Sequence, residues 1–345
     1  MGILVGSAAP AIYVKLLSID NPDTGSAYFY LSMFVGSFIL FPLSRNSSSD
    51  YSYWSKLLHT LILDNYNIGR ALLSNEIKRN SVNANSKNRS FVIITGLARA
   101  GTTALINLLY DPDIFHSIKY SDMPFLLAPS LWNKLSITKK DKVKERAHGD
   151  NVLFGTNSIE AFEEYFFKVT SNDSYIRQSS LTTHHLDEAT YHLYLDYQDL
   201  FKCKGRDTIY LAKNNNFLLR YASIRNYNKD FKMILIFREP KDHAISLKRQ
   251  HENFSSQQSK DSFILEYMNW LAHHEFGINH KVFDFGFENR WLNFEKDTLN
   301  YWIAVWINFH KYVLEIVRDI NVYIVHYDDL LHSPEKLRRE LQRLI

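Results

Sequence analysis

The sequence is poor in the residues that mark several classes of protein. Its 345 residues include one cysteine, 12 glycines and 8 prolines. A single cysteine, Cys203, excludes a disulfide framework within the chain and favours a reducing compartment, so we expect a cytoplasmic protein. Net charge is also low, because 40 basic and 37 acidic residues leave only +3. This balance predicts no general attraction to nucleic acid.

Long apolar runs are confined to the N-terminal region. Residues 27–43 are 17 residues without a charge, the lower limit for crossing a bilayer, and residues 2–19 carry one lysine. The first run lacks the positive start of a signal peptide. Two alternatives stay open: residues 2–43 form a membrane hairpin or anchor, or they form a packed extension. In the first case we expect a membrane-associated protein whose remaining chain is cytoplasmic, because Arg45 follows the second run.

A loop rich in Asn and Ser, residues 80–89, separates this region from the rest of the chain. Before it, apolar residues at three- and four-residue spacing predict a helix over 52–79. We therefore predict an N-terminal hydrophobic and helical extension, residues 1–89, followed by a domain over residues 90–345.

Within residues 90–345, candidate strands alternate with candidate helices, such as the helical pattern at 158–169. The alternation predicts an α/β, P-loop-like three-layer fold in which a parallel sheet has helices on both faces. In such sheets, ligands bind beyond the carboxyl ends of the strands. The candidate strands are 91–95, 115–120, 208–213, 232–237 and 322–326.

The first candidate strand leads into a loop that lacks one residue of a Walker A motif. Gly96 and Gly101 bracket four residues, and Thr102 and Thr103 open the next helix. Loop amides and the helix dipole direct positive charge at an anion there. Thr102 stands where a nucleotide triphosphatase has its lysine, so the loop should hold a phosphate without being built to cleave a γ-phosphate. We call residues 96–103 the phosphate loop, and the residues in it that we predict to bind the phosphate are Arg99, Ala100, Gly101, Thr102 and Thr103.

A second anion-binding pattern follows the candidate strand at 232–237. Arg238 stands at its end, and Ser246 follows eight residues later in a predicted helix. Eight residues along a helix return nearly to the same face, so both side chains can hold one phosphate. The alternative is an arginine that caps the strand end and a solvated serine.

These residues resemble the sulfotransferases that use 3′-phosphoadenosine 5′-phosphosulfate (PAPS), and are closest to the branch with tyrosylprotein and bacterial enzymes. In that family a Lys/Arg-Ser-Gly-Thr-Thr loop holds the 5′-phosphosulfate. A later Arg-x-Pro-x-Asp run, with a serine eight residues after its arginine, holds the 3′-phosphate. Here the loop is Arg99–Thr103 and the pair is Arg238 and Ser246. Tyr327-Asp328-Asp329-Leu330 resembles a Tyr-Glu-Asp-Leu motif near the end of family members.

The resemblance implies an enzyme that moves a sulfuryl group from PAPS, its co-substrate, to an acceptor hydroxyl by in-line displacement. Arg99 and Lys213 are then expected to stabilise charge on the transferring and leaving groups. Lys213 lies in Ala-Lys-Asn-Asn, which lacks the acidic residue and the proline of the family's Asn-Lys-Asp-Pro segment. Asp122 falls where family members have a histidine or glutamate base, and His116 is the reserve candidate. An aspartate in water, with a pKa of about 3.9, is a weak base at neutral pH, so this role requires partial burial.

Two other classes remain open. One is a nucleotide kinase or triphosphatase, which the missing Walker lysine disfavours. The other is a non-catalytic nucleotide-binding module.

His184-His185 and His273-His274-Glu275 lack the spacing of a metal site, and the resemblance requires no metal, so none is expected. The aromatic-rich regions 125–205 and 255–300 are expected to form the acceptor pocket. Family members usually carry a glycine-rich segment after the final helix, so either another segment covers the nucleotide or more chain follows Ile345.

Overall fold

The computed structural model describes most of the chain from residue 53 onward, and these residues fall into two compact units. The smaller unit contains residues 53–80 and 122–136, and the larger unit contains the other described residues. The predicted division at residue 90 stays a prediction. The described ranges are 53–80, 90–136, 144–145, 153–154, 158–203 and 205–345.

The strands are β1 Phe91–Thr95, β2 Phe115–His116, β3 Lys144–Glu145, β4 Leu153–Phe154, β5 Ser180–Thr182, β6 Ile209–Lys213, β7 Lys232–Phe237, β8 Val282–Asp284 and β9 Val322–His326. The helices are α1 Tyr53–Leu63, α2 Tyr66–Asn80, α3 Thr102–Leu109, α4 Pro129–Leu135, α5 Glu164–Ser171, α6 Glu188–Asp199, α7 Tyr221–Tyr227, α8 Pro240–Lys260, α9 Ser262–Trp270, α10 Leu299–Ile316, α11 Tyr327–His332 and α12 Pro334–Leu344. Three 3₁₀ turns cover Tyr120–Asp122, Asn215–Arg220 and Arg290–Asn293.

The smaller unit is helical. The single helix predicted over 52–79 is two helices, α1 and α2, because the side chain of Asn65 accepts a hydrogen bond from the amide of Ile68 (3.1 Å) and starts α2. Near the end of α2, the buried carboxylate of Glu76 accepts the backbone N–H of Leu131 (2.6 Å) in the first turn of α4. That contact joins α2 to α4 and satisfies an amide that the start of a helix leaves without a partner.

The larger unit is built on a five-stranded, fully parallel sheet with the order β2-β6-β1-β7-β9. All five residues of the central strand β1 are buried, as a strand covered on both faces requires. The strands at 91–95, 232–237 and 322–326 have the predicted bounds. The strand predicted at 115–120 is shorter, because the chain turns at Tyr120–Asp122 and Lys119 bridges to Ile159 instead.

Helices cover both faces of this sheet, so the predicted three-layer α/β fold is confirmed. Successive residues of β1 point to opposite faces. Val92 and Ile94 belong to a buried cluster with residues of α3 and α12. On the opposite face, Phe91 stacks on Phe231 (ring centroids 5.0 Å apart) and meets Tyr194 of α6 edge-on.

The expectation of a cytoplasmic protein attached to a membrane through residues 2–43 is overturned. In the described part of the chain, no helix has both the length and the apolar character needed to cross a bilayer. The longest of them, α8, has 21 residues but carries charged side chains along its length. Residues 2–43 themselves lie outside the described residues.

Candidate active site

Three neighbouring strands bring several predicted site residues to one edge of the sheet. Strands β6, β1 and β7 are adjacent and parallel, so their carboxyl ends lie side by side. Lys213 is the last residue of β6, the phosphate loop follows β1, and Arg238 follows the last residue of β7. This is the edge at which open parallel sheets bind ligands.

The phosphate loop is a tight turn that depends on its glycines. A Cβ atom at Gly96 would lie 2.5 Å from the carbonyl oxygen of Ile236, too close for any other residue. Gly101 has a φ of +106°, and a Cβ there would lie 2.8 Å from the ring of Tyr327. Arg99 has a φ of +72°, which is also left-handed. Tyr327, the first residue of the motif near the C-terminus, therefore packs directly against this loop.

The end of the loop and the first turn of α3 contribute hydroxyls rather than a cation. Ala100 and Thr102 are buried, so the position of the Walker lysine is occupied by a side chain inside the fold. Thr103 is half-buried, and its Oγ1 accepts a hydrogen bond from Nζ of Lys213 (2.7 Å). The cation at this helix start thus comes from β6.

The loop also contacts helix α8, which carries the second anion-binding pattern. Nε of Arg99 donates to Oγ of Ser246 over 3.4 Å, although the two residues are 147 positions apart in the chain. Arg238 lies with its guanidinium carbon 4.9 Å from the centroid of the Tyr327 ring, a cation–π distance. The side chains of Arg99, Arg238 and Ser246 are all half-buried, so they remain accessible to a ligand.

His243, in the first turn of α8, contacts the phosphate loop, and the sequence did not predict this contact. Its Nε2 donates to the carbonyl oxygen of Ala98 in the phosphate loop (2.8 Å), which identifies Nε2 as the protonated nitrogen. Burial lowers the pKa of His243 to about 4, so the ring is neutral at pH 7. A neutral imidazole therefore ties α8 to the loop.

Glu160 is the second residue that the sequence analysis missed. Its Oε2 lies 2.8 Å from Nζ of Lys213, and the side chains are 9% and 7% exposed. A buried carboxylate needs a partner, and three carboxylates stand close together in an apolar stretch at Glu160, Glu163 and Glu164. Three closely spaced carboxylates in an apolar stretch are the sequence pattern from which a buried, paired carboxylate could have been predicted here.

The residue after Lys213 is anchored by the other two of these carboxylates. Nδ2 of Asn214 donates to Glu163 and to Glu164, each over 3.0 Å. Glu164 in turn receives both terminal nitrogens of Arg220, at 2.7 and 2.8 Å. The end of β6 is therefore fixed to α5 and to the 3₁₀ turn that follows β6.

Glu163 is held differently from Glu164. It accepts hydrogen bonds from the hydroxyls of Tyr194 (2.9 Å) and Tyr210 (2.8 Å), in addition to Asn214. Burial raises the pKa of Glu163 in spite of these donors. Glu163 is thus held by three neutral donors, whereas Glu164 is paired with a guanidinium.

The two candidate bases are placed differently. Asp122 is buried, ends the 3₁₀ turn at Tyr120–Asp122 and belongs to the smaller unit. His116 lies in β2, where its Nδ1 contacts Oγ1 of Thr208 (3.0 Å) and burial lowers its pKa to about 4. Since His116 pairs with Tyr210, three residues before the end of β6, it lies away from the carboxyl edge.

The described part of the larger unit also contains a polar cavity of about 410 Å³ at the end of α5 and the start of α6. Its lining includes Thr170, Ser174, Arg177, Thr182 and His185. The cavity falls within the region 125–205, for which an acceptor pocket is predicted. That assignment stays a prediction.

The family model for the sulfotransferase domain matches residues 89–345. The chain belongs to the sulfotransferase family. This membership confirms the resemblance predicted from the two anion-binding motifs, and it supports sulfuryl transfer as the activity. The roles of individual residues in this sulfotransferase, and the expected absence of a metal, stay predictions.

Several solved bacterial sulfotransferases are similar to the chain. STF1 from Mycobacterium tuberculosis H37Rv is 12% identical, with 97% of this chain and 88% of that chain covered and a TM-score of 0.47. STF9 from Mycobacterium avium is 14% identical, with 98% and 82% covered and a TM-score of 0.47. A sulfotransferase from Alicyclobacillus acidocaldarius is 15% identical, with 74% and 80% covered and a TM-score of 0.34. No curated protein matches the chain.

Proposed function

We propose that the protein transfers the sulfuryl group of PAPS to an acceptor hydroxyl by in-line displacement. The observation that carries this proposal is the hydrogen bond from Arg99 to Ser246. It joins the loop assigned to the 5′-phosphosulfate to the helix assigned to the 3′-phosphate. A donor with anionic groups at both positions fits this arrangement, whereas ATP has no 3′-phosphate for the second one.

The side chains present fit such a donor. Arg99 and Lys213 bring positive charge to the two sides of the loop, and the hydroxyl of Thr103 lies between the loop and Lys213. Arg238 and Ser246 supply a guanidinium and a hydroxyl for the 3′-phosphate. The missing Cβ of Gly101 lets the loop lie close to Tyr327, and the N-terminus of α3, which follows the loop, directs partial positive charge at an anion.

Each side chain then has one task in the transfer. Arg99 and the loop amides stabilise charge on the sulfuryl oxygens, and Lys213 donates to the oxygen that bridges sulfur and the 5′-phosphate. As the acceptor oxygen bonds to sulfur, that bridging bond breaks and 3′,5′-diphosphoadenosine (PAP) leaves. The proton of the acceptor hydroxyl passes to a carboxylate base, the role that the family resemblance gives to Asp122.

The first test concerns the 3′-phosphate. We expect calorimetric titration to show tighter binding of PAP than of ADP, because only PAP has a group for Arg238. Arg238→Ala should weaken PAP binding by about 1.5–3 kcal/mol, the value of a charge-assisted hydrogen bond. Arg249→Ala, an exposed arginine on the same helix, is the control and should bind PAP normally. Equal affinity for PAP and ADP in the unaltered protein would contradict PAPS as the donor.

The second test concerns the base. Asp122→Asn keeps the shape of the side chain but removes its basicity, so PAP release from PAPS should fall at least about 100-fold while PAP affinity stays nearly constant. Turnover is measured with a panel of phenols, alcohols and monosaccharides, which also identifies the acceptor class. Asp113→Asn, at an exposed site, is the control. Normal turnover of Asp122→Asn would remove this residue as the base.

A further inference from the structure

We propose that Glu160 is a positioning residue of the transfer reaction, one that fixes the direction of the Lys213 ammonium together with Thr103. The inference rests on the proposed function for the role of Lys213. The orientation of Lys213 can be measured in the absence of donor and acceptor. A failure of the positioning role can therefore be distinguished from a failure of the proposed function.

The geometry of the ammonium carries the inference. A lysine Nζ has three N–H groups in a tetrahedral arrangement. One is directed at Oε2 of Glu160 (2.8 Å) and one at Oγ1 of Thr103 (2.7 Å). Two fixed directions determine the third, so the remaining N–H points one way only. A side chain that would otherwise sample many rotamers is thus prepared before a ligand arrives.

The two acceptors are themselves held by secondary structure. Thr103 lies in the first turn of α3, directly after the phosphate loop. Glu160 follows Ile159, which forms an antiparallel bridge with Lys119, and the amide of Tyr120 donates to the carbonyl of Ser158 (2.9 Å). Lys213 is paired in the sheet with Ile94. The ammonium is therefore located by three separate parts of the larger unit.

A positioning role and a purely electrostatic role of Glu160 predict different effects of substitutions at this residue. Glu160→Gln keeps an oxygen acceptor at the same reach but removes the charge. Glu160→Asp keeps the charge but shortens the side chain by one methylene, so its oxygen no longer reaches Nζ in the same direction. Glu160→Ala removes both. A positioning role ranks Gln above Asp and Ala, whereas a purely electrostatic role ranks Asp above Gln.

The first measurement needs no ligand. A lysine ammonium held by two acceptors exchanges its protons slowly enough to give a nitrogen-15 NMR signal, assigned to Lys213 by its loss in Lys213→Met. We expect the signal to persist in Glu160→Gln and to disappear in Glu160→Asp and Glu160→Ala. A signal that survives in Glu160→Ala would overturn the proposal, whatever the donor proves to be.

The second measurement uses PAPS and PAP. We expect the Ala and Asp variants to release PAP from PAPS about 30–100-fold more slowly, the cost of a misplaced catalytic group, with PAP affinity within about threefold of the unaltered protein. Glu160→Gln should recover turnover to within about fivefold of the unaltered protein. Full turnover of the Asp variant together with an inactive Gln variant would overturn positioning in favour of charge. If the unaltered protein does not prefer PAP over ADP, the proposed function fails while the NMR result still decides the orientation of Lys213.

Discussion

Replacing Arg220 with methionine should lower the free energy of unfolding by about 3–5 kcal/mol, the cost of removing one partner from a buried ion pair. Arg220 and Glu164 are 0% and 1% exposed and share two hydrogen bonds. Methionine fills much of the space but leaves the carboxylate of Glu164 buried without its cation. The guanidinium also lies 4.1 Å from the centroid of the Phe167 ring, so a cation–π contact is lost as well. Urea unfolding followed by circular dichroism measures the difference.

The chain offers a matched control at its surface. Arg206 pairs with Asp113 at 3.1 Å, but the two side chains are 54% and 83% exposed. Solvent screens such a pair, so Arg206→Met should change the free energy of unfolding by less than about 1 kcal/mol. Similar losses in the two variants would contradict the view that burial makes the Arg220–Glu164 pair important.

This ion pair also bears on the candidate site. Glu164 accepts a hydrogen bond from Asn214, and Asn214 directly follows Lys213. Because the side chain of Asn214 also bonds Glu163 and the amide of Asn216, the chain direction at the end of β6 is over-determined. Asn214, Glu163, Glu164 and Arg220 each have hydrogen-bond partners in this buried network, which favours one conformation at the end of β6. The buried ion pair is therefore part of the network that fixes the residue next to Lys213.

The sheet was readable from the sequence because its signal is local. A parallel strand buried on both faces is a short continuous apolar run, and Phe91–Thr95, Lys232–Phe237 and Val322–His326 are such runs. The helix predicted at 158–169 begins only at Glu164. Its apolar spacing is helical, but residues 158–160 are drawn into contacts with residues 119, 120 and 213. Such contacts between distant parts of the chain override a local periodicity.

The same distinction applies to the candidate site. Arg99, Arg238 and Ser246 could be predicted as candidate site residues because their spacing within two motifs is local. Glu160 and His243 were not, since their importance lies in contacts with Lys213 and Ala98, 53 and 145 positions away. A carboxylate or an imidazole in an apolar stretch indicates that a partner exists, but it does not say which residue that partner is.

Lys213→Met should slow the release of PAP from PAPS about 1,000-fold, because removing one preorganised donor to developing charge typically costs 100–1,000-fold and here a full positive charge is lost as well. PAP affinity should fall much less, by about 10–100-fold, since Lys213→Met removes one charge-assisted hydrogen bond to the 5′-phosphate of PAP while Arg238 and Ser246 still hold the 3′-phosphate. Calorimetry with PAP and a turnover assay with PAPS separate these two quantities. Lys202→Met, which removes a surface ion pair with Asp207 (3.2 Å), should change neither.

The Lys213→Met variant leaves the carboxylate of Glu160 buried without its ammonium, so a loss of activity by misfolding must be separated from a loss of catalysis. The double variant Lys213→Met/Glu160→Gln removes that unpaired charge. We expect it to regain stability in thermal unfolding, because a neutral amide is less costly to bury than a carboxylate, yet to remain as slow in PAP release as the single variant. Recovery of turnover in the double variant would contradict a catalytic role for Lys213, since the ammonium is absent from both proteins.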